Sequence, residues 1–329
     1  MSDTYIIAGG DMRFSALAEQ LGDKHRVYTV GFDKNVFTSD KITVADNVMS
    51  VPQRTDYLVL PLPPSSDGIT LSTPFYRGTI SLKELSGKVR DGGIVFGGRI
   101  SPQVREIFSS KGIEVIDNFA REELSVLNAR ATAEGAVQIA LEEQAVTLAG
   151  EKVLILGMGR IAKALIRILS GFGTEMSVCA RKYSDLAWAE IFGCKTIHIS
   201  ELKSSGVLSD SELIFNTVPH LILDESALSQ CTKSCLMIDL ASKPGGMDFE
   251  AAGRMGLRAI WTLSLPGKTA PISSGKIIGK AIENILIERK KHTHLLQGGE
   301  HLDRQHITPQ RSKDRICHVR LVLHLFQGI

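Results

Sequence analysis

Short hydrophobic runs alternate with amphipathic stretches along the first part of the chain. The stretch after the first run, RFSALAEQLGDK, carries its apolar residues at helical spacing. Strands that alternate with helices are typical of βαβ units and of a parallel sheet. The runs that we interpret as strands, together with the turn residues beside them, are TYIIAGG, HRVYTVGF, DYLVLPLPPSSDG, GGIVFGGRIS and GIEVIDNFA.

A second series of the same kind begins at Lys152, after a long helical segment. Its strand-like runs are KVLILG, EMSVCAR, KTIHIS, LIFNTVP, CLMIDLAS and LRAIWTL. The whole pattern predicts an α/β protein with two Rossmann-like parallel-sheet domains and a cleft between them.

The pattern also predicts the domain boundaries. Residues 1–118 form a Rossmann- or flavodoxin-like domain that holds the substrate, and residues 145–275 form a nucleotide-binding domain. A helix over 119–144, with a break near 129–132, connects the two. The helix over 276–290 is expected to return to the first domain.

The character of the chain changes at its end. Residues 291–329 carry six of the nine histidines and lack helical periodicity. The histidine spacings match no metal-ligand set, so we expect a weakly ordered tail and no metal site.

Composition excludes several classes of protein. The 329 residues carry a net charge of only +2, and 6% of them are aromatic, which argues against a nucleic-acid-binding surface. No apolar run approaches the length of a membrane span. The five cysteines are scattered and lack the paired spacing of a zinc site. We expect a cytoplasmic protein with free thiols.

The run LILGMGRIA contains the pattern of a dinucleotide-binding turn, between a strand and a helix. Gly157 would permit the tight turn, Gly159 would let a pyrophosphate approach the backbone, and Ala162 would allow close helix–strand packing. A glycine turn without a ligand is the alternative. The residues expected to contact the dinucleotide are Gly157, Met158, Gly159, Arg160 and Ile161.

The following strand ends at Arg181 and Lys182, where an NAD site would place an acidic residue for the ribose hydroxyls. A guanidinium instead offers a planar pair of donors to a 2′-phosphate. The basic residues at this position predict that the cofactor is NADP rather than NAD. The alternative is a solvated Arg–Lys pair without a ligand.

Two more strand ends are expected near the nicotinamide, because ligands of parallel α/β sheets lie beyond the carboxyl ends of the strands. One carries Thr217, Val218 and Pro219, and the next carries Lys243. Lys243 would meet a carboxylate there, or be a solvated loop lysine.

Several motifs together resemble the family of dipicolinate synthase A subunits from spore-forming bacteria. In the second half these are GMGRIAKAL, CARK, NTVP, IDLASKPGGMDF and LPGKTAPISSGKI, and in the first half AGGDMR, LPLPPSSDG, FGGRIS and LNARATAEGAVQIA. The resemblance covers residues 4–290 in order. The pair DLASKPGG and LPGKTAP is far more specific than the glycine turn.

The resemblance implies oxidation of dihydrodipicolinate to dipicolinate during sporulation. Aromatising the dihydropyridine removes a hydride, which NADP would accept, and a proton. The family further implies a flavoprotein partner (the B subunit of dipicolinate synthase), a homo-oligomer and a location in the mother cell. Which form of the precursor binds, and whether the flavoprotein is required for turnover, stay open.

A substrate with two carboxylates needs cations and hydroxyl donors. Arg13, Arg99, Ser65 and Ser66 follow strands of the first domain within the family motifs, and we expect them to bind the substrate. Each arginine has a surface salt bridge as its alternative role. The candidate catalytic residues are Glu134 and Asp67 as general bases, and Lys243.

Three other functions compete with this interpretation. A non-catalytic NADP-binding subunit would leave the chemistry to its flavoprotein partner. A 2-hydroxy-acid dehydrogenase would need a histidine in LPGKTAPISSG, which has none. A shikimate-dehydrogenase-like enzyme would need a Lys–Asp pair in the first domain, where we find no convincing one.

Overall fold

The first half of the protein forms a six-stranded parallel sheet in a computed structural model that describes residues 2–299, with side chains to residue 292. Its strands are β1 (Thr4–Ala8), β2 (Arg26–Val30), β3 (Ile42–Ala45), β4 (Thr55–Val59), β5 (Val89–Gly97) and β6 (Glu114–Asp117). The strand order is β3-β2-β1-β4-β5-β6, with every pair parallel. This is the doubly wound order of a Rossmann fold.

Three helices cover this sheet: α1 (Met12–Gly22), α2 (Leu82–Ser86) and α3 (Pro102–Ser109). Each begins at a side-chain oxygen that accepts a backbone N–H, from Asp11, Ser81 and Ser101 respectively. Such caps satisfy the unpaired amides of a first helical turn. The sheet buries apolar side chains on both faces, as a covered parallel sheet requires.

The connecting helix α4 runs from Glu122 to Glu143 without the predicted break. The region that suggested an interruption contains Thr132, whose hydroxyl donates to the carbonyl of Asn128 within the helix. Alanines and a glycine occupy most of its buried positions, so neighbouring backbone approaches closely. A Cβ at Gly135 would lie 2.8 Å from Thr269 Oγ1.

The second half repeats the architecture. Its strands are β7 (Lys152–Leu156), β8 (Glu175–Ala180), β9 (Lys195–His198), β10 (Leu213–Asn216), β11 (Leu236–Asp239) and β12 (Arg258–Trp261). Its helices are α5 (Arg160–Leu169), α6 (Tyr183–Ile191), α7 (Val207–Asp210), α8 (Glu225–Leu228) and α9 (Phe249–Met255). The sheet order β12-β11-β10-β7-β8-β9 is again doubly wound. The predicted fold class of two Rossmann-like domains is confirmed.

The chain then forms α10 (Leu265–Thr269) and α11 (Pro271–Gly299). Gly275 and Gly279 of α11 face α1, since a Cβ at Gly275 would lie 2.5 Å from the carbonyl oxygen of Arg13. Helix α11 extends past residue 290, where we expected its end. The prediction of a weakly ordered tail otherwise falls on residues 300–329, which lie outside the described residues. None of the described helices is long and apolar enough to cross a membrane.

Candidate functional site: a cleft at the strand ends of both sheets

A cleft of about 1050 Å³ lies where the carboxyl ends of the two sheets meet. Arg13 and Arg99 line it from loops after β1 and β5. Gly159 lines it after β7, and Ser242 after β11. Ligands of parallel α/β sheets bind at this edge, so the cleft is the candidate site.

The dinucleotide turn after β7 has the shape that a pyrophosphate requires. Gly157 has a φ of 96°, and a Cβ there would lie 2.6 Å from Thr217 Oγ1 and 2.8 Å from Val218 Cγ2. A Cβ at Gly159 would meet nothing within 4 Å, so the backbone is open there. Ala162 is fully buried. The turn therefore fits a dinucleotide.

The predicted cofactor residues separate into two groups at this turn. Those that line the cleft are Gly159, Arg160, Ile161, Thr217 and Pro219. Met158 is buried, and Val218 packs behind Gly157. Helix α5 has no side-chain cap at Gly159, so its first amides remain available to an anion.

Arg181 and Lys182 lie at the end of β8, exposed and outside the cleft lining. The backbone carbonyl of Arg181 lies 3.0 Å from His198 Nε2. The same histidine stacks on Tyr183, with ring centroids 5.0 Å apart. This contact anchors the backbone beside the two cations and leaves their side chains exposed.

A buried polar network, which the sequence pattern did not reveal, fixes the loops after β10 and β11. Asn216 and Asp239 are fully buried, and Asn216 Nδ2 donates to Asp239 Oδ1 at 2.8 Å. The carboxylate also accepts the backbone N–H groups of Ala241 and Gly246. Asn216 in turn bonds both backbone polar groups of Val218.

This network positions two walls of the cleft at once. The turn that carries Thr217 and the loop that carries Lys243 are both hydrogen-bonded to it. The signal in the sequence is the pair of polar residues that end two apolar strands, LIFN and LMID. The sequence does not show that these two residues contact each other, because the contact depends on the strand register, which places Asn216 beside Asp239.

Arg13 is buried, and its guanidinium is held by Asp11. Arg13 Nε donates to Asp11 Oδ1 at 2.9 Å, and Nη2 donates to Oδ2 at 2.7 Å. The pair packs tightly against α10, because a Cβ at Gly267 would lie 3.0 Å from Asp11 Oδ2. Arg13 therefore presents a fixed, partly neutralised cation to the cleft.

Arg99 and Lys243 differ from Arg13, since no hydrogen bond or ion pair joins either side chain to another described residue. Arg99 also has a φ of 53°, a left-handed conformation that is uncommon for a residue with a side chain. Strain of this kind concentrates at functional sites. Two unpaired cations thus line the cleft from opposite domains.

Ser65, Ser66 and Asp67 lie outside the cleft lining, where they form a turn. Asp67 Oδ1 accepts the backbone N–H groups of Ile69 and Thr70 and the hydroxyl of Ser65. These bonds hold the pKa of the Asp67 carboxyl well below its usual range. A carboxyl that binds protons so weakly is a poor general base.

Glu134 also lies away from the cleft, on the exposed side of α4, with its carboxylate 3.6 Å from Arg130. Neither predicted general base, Glu134 or Asp67, therefore lines the cleft. Asp117 is the one carboxylate among the described residues of the lining, and it accepts backbone N–H groups from Ile100 and Phe119.

The cleft-facing side of α4 is polar, which sequence reasoning missed. Ser125, Asn128 and Thr132 line the cleft from successive helical turns. Their spacing, with Ala129 between, is the available signal for one helix face. The sequence predicts the helix but does not show what that face meets.

The described side chains form no cluster of metal ligands, and burial makes two of the thiols weakly acidic. No group of three or more metal-ligating side chains is found among the described residues. Burial raises the pKa of the Cys179 thiol to about 12 and that of Cys231 to about 11. Neither thiol is a reactive nucleophile at neutral pH.

The two halves of the chain match two family models. Residues 4–119 match the N-terminal domain of the A subunit of dipicolinate synthase. Residues 124–243 match the NAD-binding domain of D-isomer specific 2-hydroxyacid dehydrogenases. The second match concerns the nucleotide-binding domain and leaves the substrate class open.

Similar proteins match along most of the chain. The A subunit of dipicolinate synthase from Bacillus subtilis strain 168 is 29% identical over 287 residues, which cover 86% of this chain and 95% of that protein. The structure of the A chain of dipicolinate synthase from Bacillus subtilis matches with a TM-score of 0.78 at 27% identity, covering 89% of this chain and 98% of that chain.

Two further structures agree with this fold. The A subunit of dipicolinate synthase from Bacillus halodurans has a TM-score of 0.77 at 26% identity and covers 86% of this chain and 97% of its own. A transhydrogenase from Sinorhizobium meliloti, at 14% identity and a TM-score of 0.61, shares the fold alone, over 86% of this chain and 93% of its own. The chain is a relative of the dipicolinate synthase A subunits over most of its length, and its second half matches the NAD-binding domain of dehydrogenases.

Proposed function

We propose that this protein is the A subunit of a dipicolinate synthase and oxidises dihydrodipicolinate to dipicolinate with NADP. The observation that carries the proposal is one cleft that combines a dinucleotide turn with two unpaired cations, Arg99 and Lys243. Its relatives are named as subunits of dipicolinate synthase, and the cleft supplies a binding site of matching charge.

The two carboxylates of the substrate would bind the cations. Arg99 offers a planar pair of donors, and Lys243 a compact ammonium, from the two walls of the cleft. Arg13, held by Asp11, adds a third cation of fixed orientation. Asn128 on α4 offers an amide to the remaining polar groups of the ring.

The cofactor that we propose is NADP. Gly159 and the first amides of α5 would hold its pyrophosphate, and Arg181 with Lys182 would hold its 2′-phosphate. When bound, NADP accepts the hydride that aromatisation releases. The cleft residues orient the dihydropyridine for that transfer, and the proton leaves to solvent.

The proposal extends to the cellular setting that the family resemblance of the sequence motifs implies. A protein named as one lettered subunit of a synthase belongs to an assembly, and we propose a flavoprotein, the B subunit, as its partner. We also propose a homo-oligomer that acts in the mother-cell cytoplasm of a sporulating bacterium.

Fluorescence titration of the purified chain with NADPH and NADH, on the wild type and on Arg181→Asp, tests the cofactor. We expect a preference for NADPH that collapses or reverses in the variant. Equal weak binding of both, unchanged by the substitution, contradicts the NADP assignment. Turnover of freshly made dihydrodipicolinate then tests the reaction.

A non-catalytic NADP-binding subunit is the second candidate. It is favoured by the lack of a free carboxylate that could act as a base among the described residues of the cleft. Glu134 and Asp67 lie away from the cleft, and Asp117 already accepts two backbone N–H groups. NADPH formation by this chain alone, with substrate present, would exclude it. NADPH formation only after a flavoprotein subunit is added would favour it.

A further inference from the structure

Arg160, the first residue of α5, is engaged by a carboxylate from another helix. Its Nε donates to Glu122 Oε1 at 2.9 Å, and its Nη2 donates to Glu122 Oε2 at 2.6 Å. Glu122 is the first residue of α4. More than half of each side chain is exposed, so this ion pair joins the first turns of two helices at the solvent-facing edge of the cleft.

The position of this pair matters because a guanidinium binds carboxylate and phosphate with the same two-donor geometry. Arg160 directly follows Gly159, and the first amides of α5 have no side-chain cap. A pyrophosphate at this helix start would therefore meet the donors that Glu122 occupies. The two anions compete for one side chain.

We propose that Glu122 is a built-in competitor for Arg160, and that binding of the dinucleotide exchanges this carboxylate for a pyrophosphate oxygen. The inference rests on the proposed function, which assigns a dinucleotide to the turn. Glu122 thereby weakens the binding of the cofactor. Its release also frees the first turn of α4, the helix that carries Ser125 and Asn128 into the cleft.

Hydrogen bonding to Arg160 lowers the pKa of the Glu122 carboxyl, so the competitor stays charged throughout the neutral range. Exposed ion pairs of this kind change an equilibrium by about fivefold or less. Repulsion between Glu122 and the phosphates acts in the same direction. Neutralising Glu122 should therefore tighten binding about three- to fivefold.

The experiment measures the Kd for NADPH by fluorescence titration of the full-length wild type, Glu122→Gln and Glu123→Gln. Glu123 is the matched control, because it is the next residue of the same helix and pairs with Arg121 instead. We expect a three- to fivefold lower Kd for Glu122→Gln, and a Kd within about 1.5-fold of wild type for Glu123→Gln. The affinity for inorganic pyrophosphate, measured by its competition with NADPH, should rise by the same factor in Glu122→Gln.

Arg160→Gln, alone and combined with Glu122→Gln, completes the test. The exchange predicts weaker binding for Arg160→Gln, and a smaller gain from Glu122→Gln in that background than in the wild type, because the contested donors are gone and only the repulsion is relieved. Unchanged or weaker binding in Glu122→Gln overturns the inference, and so does a full gain without Arg160. If no variant binds NADPH or NADH, the proposed function fails, and this inference fails with it.

Discussion

At the scale of single residues, the cations that line the cleft fall into two groups, those paired with a carboxylate and those without such a partner. Arg13 is paired with Asp11 and Arg160 with Glu122, whereas Arg99 and Lys243 have no partner among the described residues. An unpaired cation at a cleft wall keeps its full attraction for an incoming anion. Substrate binding should therefore depend most strongly on Arg99 and Lys243.

We expect Arg99→Ala and Lys243→Ala each to raise the KM for the dicarboxylate about 10- to 100-fold, the range for a lost hydrogen bond to a charged group. The Kd for NADPH should stay near that of the wild type. Steady-state kinetics with NADPH titration measures both quantities. Lys111→Ala, an exposed lysine outside the cleft, is the control, and an equal loss there would contradict the assignment.

Asp67 should prove structural. Its folded-state pKa lies below the usual 3.8, so the stability that it contributes is present above that pH and is lost as the pH falls toward its folded-state pKa. Asp67→Asn should lower the Tm at pH 7, with a difference that shrinks below about pH 4. Turnover at neutral pH should persist, and a loss of kcat with an unchanged Tm would restore Asp67 as a base.

At the scale of elements, the turn between β7 and α5 depends on a close approach of two loops. Gly157 combines a positive φ with contacts to Thr217 and Val218 that leave no room for a methyl group. The turn after β10 is itself fixed by Asn216. A side chain at Gly157 must therefore displace the nucleotide turn or the wall opposite.

Gly157→Ala should weaken NADPH binding by about tenfold or more, because a displacement of about 1 Å in a binding element has effects of this size. Gly171→Ala is the matched control, since a Cβ there meets nothing within 4 Å and its φ is not positive. Fluorescence titration measures the Kd for NADPH of both variants, and we expect that of Gly171→Ala to stay near the wild-type value. Wild-type affinity in Gly157→Ala would show that the turn does not hold the dinucleotide.

At the scale of the whole molecule, α11 brings a late segment of the chain back to the first helix. Gly275 lies against the backbone of Arg13 and Leu17, and Gly267 of α10 lies against the Asp11–Arg13 pair. The two motifs GGDMR and LPGKTAPISSGK, at opposite ends of the described chain, therefore meet at the cleft. This packing links global stability to the orientation of Arg13.

Gly275→Ala should destabilise the protein by about 1–3 kcal/mol, because the added methyl overlaps backbone atoms that cannot rotate away. Gly253→Ala, inside α9 and with open space around its Cβ, should instead stabilise by up to about 1 kcal/mol. Urea unfolding measures both values. Equal stabilisation of both variants would refute the close contact between α11 and α1.

Local pattern predicted the local features of the protein. Alternating apolar runs and amphipathic stretches predicted two doubly wound sheets, because strand and helix periods are properties of short segments. The spacing of Gly157, Gly159 and Ala162 predicted the nucleotide turn for the same reason. The break predicted in α4 was wrong, since a polar threonine within a helix can bond back to its own backbone.

Only the tertiary structure decided which side chains share the cleft. It placed Glu134 and Asp67 outside, brought in Ser125 and Asn128, and joined Asn216 to Asp239. Sequence position fixes the strand end at which a residue lies, but its direction depends on turn geometry and on ion pairs with distant segments. The sequence by itself therefore determined the fold and the nucleotide turn, whereas long-range packing decided the charge and the lining of the cleft.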